Sequence, residues 1–187
     1  MADQLASPAD LTTLLGEPSM DAGLAVLLVE TATGVVQGAA GGQRIVEVVD
    51  DTITVMGTSD RWLALPQIPV TAVASVTVDG VAVTDWKRFG SRLWRSCGWA
   101  VTCGEPSEVV VVCTHGYPDG AQELQLARKA ALGLAAAASA APAGEKSESI
   151  DDYRVTYADA VEGALTENLR KALRRQYGRR GGTVSLR

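Results

Sequence analysis

The sequence predicts a mixed α+β chain: a small helical bundle, an antiparallel β unit inserted into it, and an extended C-terminal arm with a basic helix. Three observations predict this. Apolar residues at helical spacing fill the first 40 residues and return after Pro118, whereas residues 45–115 are short β-rich runs. Asp79-Gly80 stands between two alternating runs, as the centre of a tight hairpin does. The charge is also divided: seven of the 17 Lys and Arg lie in 168–187, where there is no acid, and the other ten share residues 1–167 with all 22 acids. The body is therefore acidic, at −12, and the end is basic.

Residues 1–44 supply the first helices of the bundle. Ser7 followed by Pro8 is a helix start, Leu11, Leu14 and Leu15 give it one apolar face, and Gly16 ends it. A second helix starts at Ser19 or Asp21, carries Leu24, Leu27 and Leu28, and ends between Thr33 and Ala40, where glycines weaken it.

Residues 45–117 form the β unit. IVEVV, TITVMG and WLALP are short strands, VASVTVDGVAVTDW is the hairpin, and VVVVC is a buried strand after the turn GEPS. Four tryptophans (Trp62, Trp86, Trp94, Trp99) are expected in the core of a unit this small, although on one exposed face they could stack sugars or bases.

Residues 118–142 hold the long central helix. PDG closes the β unit, and Leu124, Ala127, Ala131, Leu134 and Ala135 then line one face of an alanine-rich helix from Ala121 to Ala141. The connector APAGEKSES (141–149) leads into residues 143–187, which continue through a short strand at Tyr153–Tyr157 and reach a last helix ended by Gly178. Leu165, Leu169, Ala172, Leu173 and Gln176 mark one side of that helix; TVSLR beyond it could add as a strand to a neighbour.

The residue types needed for catalysis are scarce. The one histidine, His115, has no serine elbow near it and is expected to bond a backbone group and fix the THGYP turn. Asp50-Asp51 and Asp151-Asp152 read as solvated loops, because adjacent side chains on a strand point to opposite faces. GAAGGQR lacks the lysine and the helix start of a phosphate loop. Cys97, Cys103 and Cys113 form no CxxC pair and read as reduced core thiols, so no metal site and no cofactor are expected. The N-terminus has no leader pattern, and the longest apolar stretch, Ala130 to Ala141, is too short to span a bilayer; synthesis in the cytoplasm and no membrane contact are expected.

The basic end is the candidate site. Arg170, Lys171, Arg174, Arg175, Arg179 and Arg180 cluster there, and the helix dipole accounts for only those in the last turn. The remainder suits a tail that settles on acidic protein or on phosphate, and composition does not choose between them.

Taken in order, two N-terminal helices, LALPQIPVTAVASVTVDG (63–80), THGYPDG (114–120) leading into the alanine-rich helix, SESIDDYRVTYAD (147–159) and LTENLRKALRRQYGRR (165–180) resemble the head-to-tail connector, or adaptor, proteins of tailed bacteriophages of actinobacteria. Residues 31–44 match least, since glycines and alanines stand where a firmer helix end is expected. The resemblance implies a non-enzymatic virion protein that forms a homo-oligomeric ring, a dodecamer, at the head-tail junction. Such a ring sits beneath the portal protein, receives the next connector or tail protein below, and lets DNA pass through its lumen without specific binding. The basic residues would then grip acidic portal surface. Two rivals stand beside it: a nucleic-acid-binding protein that uses the basic C-terminal helix, and an enzyme or carbohydrate-binding module built on the β unit.

Overall fold

The computed structural model describes residues 4–101, 105–140 and 165–178 with their side chains, and the backbone of 148–150 and 153–155. The chain divides into two units: residues 43–119 form one, and the described residues up to Gly42 and from Gly120 onward form the other. The fold is mixed α+β, with the β unit inserted between helices.

In the helical unit, α1 (Pro8–Leu15) opens with a capping box: the Ser7 hydroxyl accepts the Asp10 N–H at 3.1 Å and the Asp10 carboxylate accepts the Ser7 N–H at 3.0 Å. Gly16, at φ 68°, closes it. Leu11 is buried, but Leu14 is 57% exposed, so the expected three-leucine face is reduced to Leu11 with Leu15 half-buried. Helix α2 (Ala22–Ala39) starts from Asp21, whose carboxylate accepts the Leu24 N–H at 2.9 Å, and runs through Gly34 and Gly38 to the far end of the expected interval.

The face that α2 buries differs from the expectation. Ala25, Val29, Ala32, Thr33 and Val36 point inward, while Leu24 and Leu27 are exposed. Its neighbour is the cause: α2 packs on α3 (Gln125–Ser139), whose buried side is Ala127, Ala130, Ala131, Leu134 and Ala135. The buried sides of both helices are mostly small residues, and the contact turns Leu24 and Leu27 outward. The expected face of α3 is all buried, and a 3₁₀ turn at Gln122–Leu124 precedes the helix. Among the described residues, helix α2 is long and apolar enough by length and composition to cross a membrane, and here one side of it packs on α3.

Helix α4 (Glu167–Tyr177) packs on α2 and α3. Glu148–Ile150 and Tyr153–Val155 pair antiparallel, so the connector expected to run through Ser149 ends in a strand; the rest of the expected Tyr153–Tyr157 strand lies outside the described residues.

In the β unit, β1 (Val48–Gly57), β3 (Val70–Val78), β4 (Val81–Ala82) and β7 (Ser107–His115) form a sheet of order β1-β7-β3-β4. Strands β2 (Trp62–Ala64), β5 (Trp86–Phe89) and β6 (Arg92–Arg95) form a second, of order β2-β6-β5. All pairings are antiparallel. Asp79 and Gly80, at φ 48° and 78°, make the expected tight turn, and the Asp79 carboxylate accepts the Glu108 N–H at 2.7 Å.

IVEVV and TITVMG are not separate strands. Val46 makes an isolated bridge to Tyr117, and pairing with β7 then runs from Val48 to Gly57 across a bulge at Asp50. Asp50-Asp51 therefore lies in a bulged strand and not in a loop.

Both sheets close on one core that includes Leu63, Leu93, Val76, Val109, Val111 and Trp99. Of the tryptophans only Trp99 is fully buried; Trp62 is 46% exposed, and Trp86 and Trp94 are half-buried. The three-stranded sheet has one side on the core, and its register turns Trp62 and Trp94 to the other. Cys113 is buried as expected, Cys97 is exposed, and Cys103 lies outside the described residues.

Candidate functional site

Helix α4 presents the basic cluster and is anchored from its other side. Its N-cap is Thr166, whose hydroxyl accepts the Leu169 N–H at 3.3 Å, and Glu167 meets the positive end of the helix. Leu173 and Tyr177 are buried, four residues apart on one face. The Tyr177 hydroxyl donates to the Glu123 carbonyl, and Gln176 Nε2 donates to the same oxygen at 3.1 Å.

With that face held, Arg170, Lys171, Arg174 and Arg175 are exposed. Arg170 Nε donates to the Leu165 carbonyl at 3.3 Å, and Lys171 lies 3.8 Å from Glu167 in an exposed i,i+4 pair. Among the described residues Arg174 and Arg175 have no acidic partner; they sit in the last turn, where the dipole favours cations. Of the expected site residues the structure brings these four together, and Arg179 and Arg180 lie outside the described residues.

A second basic surface escaped the sequence reading. The register pairs Trp62 with Trp94 and Trp94 with Lys87, and in the next row but one pairs Ala64 with Arg92 and Arg92 with Phe89. Directly opposed residues share a face, so these six side chains all lie on the outer side of the β2-β6-β5 sheet, while Leu63 and Leu93 lie on the inner side. Trp62 and Phe89 meet edge to face across β6, ring centroids 5.5 Å apart. The signal was present in WKRFGSRLWR (86–95): the pairing of Phe89 with Arg92 leaves Gly90-Ser91 as a two-residue turn, which places 87, 89, 92 and 94 on one side. The stretch has four bases and no acid, of which Lys87 and Arg92 lie on this face, and they were hidden in the charge total of an acidic body.

The one histidine makes a different bond from the one expected. His115 Nε2 lies 2.9 Å from Asp51 Oδ2, and Arg44 Nη1 lies 3.4 Å from the same oxygen. The hydrogen bond from His115 is the main cause that holds the Asp51 carboxyl below its ordinary range; partial burial opposes it, and the charges of His115 and Arg44 add to it. The imidazole is fully buried, so it cannot meet a substrate; its contact pins the β1 bulge to β7. Burial, with the nearby Asp51 carboxylate, pushes the Cys113 thiol up, away from the reactive thiolate. Among the described residues no group of three or more His, Cys, Asp or Glu could hold a metal ion.

No protein-family model matches the chain, and no curated protein is significantly similar to it. Solved structures share its fold. A chain in the neck of an empty gene transfer agent (GTA) particle, computed with C6 symmetry, is 17% identical at a TM-score of 0.56, over 86% of this chain and 89% of that one. A chain of the native GTA virion is 15% identical at 0.54, over 85% and 88%. A chain in the neck of the native GTA particle, computed with C12 symmetry, is 16% identical at 0.51, over 97% and 98%.

Proposed function

We propose that the chain is a structural, non-enzymatic virion protein: a head-to-tail connector that forms a ring, a dodecamer, beneath the portal of a DNA-filled head and receives the next connector or tail protein below. The observation that carries this reading is the fold shared with neck chains over nearly the full length of both partners, at 97% and 98% in one case. The span agrees at a TM-score of 0.51, although the identity is only 16%.

The α4 surface gives the docking end. Exposed arginines on an anchored helix can make charge-assisted hydrogen bonds to acidic protein, and Arg179 and Arg180 would extend that contact toward the portal. The acidic body would line a passage that does not retain DNA, because like charge keeps phosphates from binding.

The test is negative-stain imaging of the chain alone and mixed with tailless, DNA-filled heads, beside a version truncated at Gly163. Rings, or density under the portal that the truncation abolishes, are expected. No ring and no added density would overturn the reading. DNA affinity that falls steeply with salt and is lost on truncation would instead favour a nucleic-acid-binding protein.

A further inference from the structure

We propose that the outer face of the β2-β6-β5 sheet binds the α1–α2 surface of a second copy of this chain, so that copies join head to tail. The inference rests on the ring reading above and names the two faces that would build the ring.

The first face is aromatic and basic. Trp62 and Phe89 are 46% and 55% exposed, and Trp94 lies beside them with Lys87 and Arg92. Trp and Arg are the residues that most often anchor protein interfaces, and charge at such a face selects the partner.

The second face is aliphatic and acidic. Residues 1–43 contain five acids and no Lys or Arg. The outward side of α2 carries Leu24, Leu27, Thr31, Gly34, Val35 and Gly38, with Glu30 at its edge. Among the described residues a Cβ at Gly34 or Gly38 would meet nothing within 4 Å, so packing against them does not call for these helix-weakening residues. A close partner outside the chain would.

Complementarity selects the occupant. Exposed Lys87 and Arg92 on the sheet face, with Arg88 and Arg95 on its other side and Arg95 paired with Asp85, stand against residues 1–43, which hold five acids and no base, with aromatic surface on one side and aliphatic surface on the other. Pairing either face with its own copy would set like charges together. Pairing one with the other joins different surfaces of identical chains, which is the heterologous geometry that closes into rings. An anionic bilayer would be repelled by the acids beside α2, and DNA on the sheet would leave the α2 row uncovered.

The test uses the full chain and two double variants at exposed positions: Lys87→Glu with Arg92→Glu on the sheet, and Leu24→Glu with Leu27→Glu on α2. Circular dichroism checks that both fold. Native mass spectrometry of the wild type should show oligomers, and each variant should weaken association by about 30-fold or more, the loss of one interface hot spot. An equimolar mixture of the variants should give dimers and nothing larger, because each keeps one intact face. Where the wild type gathers only on heads, density under the portal is the readout, and both variants should lose it. Variants that assemble like the wild type overturn the inference and leave the connector reading standing. So does a mixture that stays monomeric, or a sheet variant that loses only DNA binding. A wild type that neither self-associates nor adds to heads overturns both.

Discussion

The Tyr177 hydroxyl, at the end of α4, donates to the Glu123 carbonyl and accepts the Ala127 N–H at 3.3 Å. Ala127 lies in the first turn of α3, where backbone N–H groups have no partner within the helix, so a side chain 50 residues away caps that turn. Tyr177→Phe keeps the ring and strips the cap. Urea denaturation should show about 1–3 kcal/mol less stability with an unchanged m value, the cost of leaving buried backbone groups unpaired.

The His115–Asp51 contact predicts an acid-sensitive fold. Asp51 has a lowered carboxyl in the native state, so its contribution is complete above the ordinary value of 3.8. It is lost as pH falls through that value toward the lowered one. Asp51→Asn should therefore flatten the loss of stability below about pH 4, measured by urea midpoints at stepped pH. At neutral pH, Asp51→Ala leaves the buried Nε2 of His115 without its partner and should cost about 1–3 kcal/mol.

A Cβ at Gly57 would collide with the Trp99 carbonyl and, at 2.6 Å, with a Val109 methyl. Neither neighbour can give way: Trp99 and Val109 are both fully buried in the core. Gly57→Ala should cost about 1–3 kcal/mol, read as a lower thermal midpoint, whereas Gly34→Ala, with open space around it, should raise stability by up to about 1 kcal/mol.

These positions mark how far the sequence was legible. Local signals read well: the Ser7 cap, the Asp79-Gly80 turn and the buried face of α3 each depend on a few neighbouring residues. Choices settled by distant partners did not. Helical spacing on α2 is consistent with Leu24 and Leu27 inside, and only the alanine surface of α3 turns them out. His115 was expected to bond nearby backbone, yet its partner lies 64 residues away. The basic cluster on α4 was visible as composition, while Tyr177, which anchors it, does not stand out in the sequence from the residues around it. The sheet face needed strand register, since Trp62 reaches Phe89 only once β6 lies between them.

Anchoring and contact are separable on α4, and that gives the sharpest prediction. Reversing Arg170, Lys171, Arg174 and Arg175 to Glu together touches exposed side chains only. Two intrachain interactions are at risk: the Arg170 Nε bond to the Leu165 carbonyl, and the exposed i,i+4 pair Lys171–Glu167, which contributes about 0.3–0.5 kcal/mol. Cations in the last turn add a further dipole contribution of about 0.3–1 kcal/mol each, so the free chain should fold but melt somewhat lower. Docking on heads should disappear, because a contact made by four cations becomes one between like charges. The single change Tyr177→Phe should instead weaken docking only as far as it loosens α4. Binding of the wild type, measured by co-sedimentation with tailless heads, should fall as ionic strength rises, since exposed charges are screened beyond about 8 Å at physiological salt. Docking that resists both charge reversal and salt would mean that α4 is held by its apolar anchors alone, and that its cations serve only the helix they end.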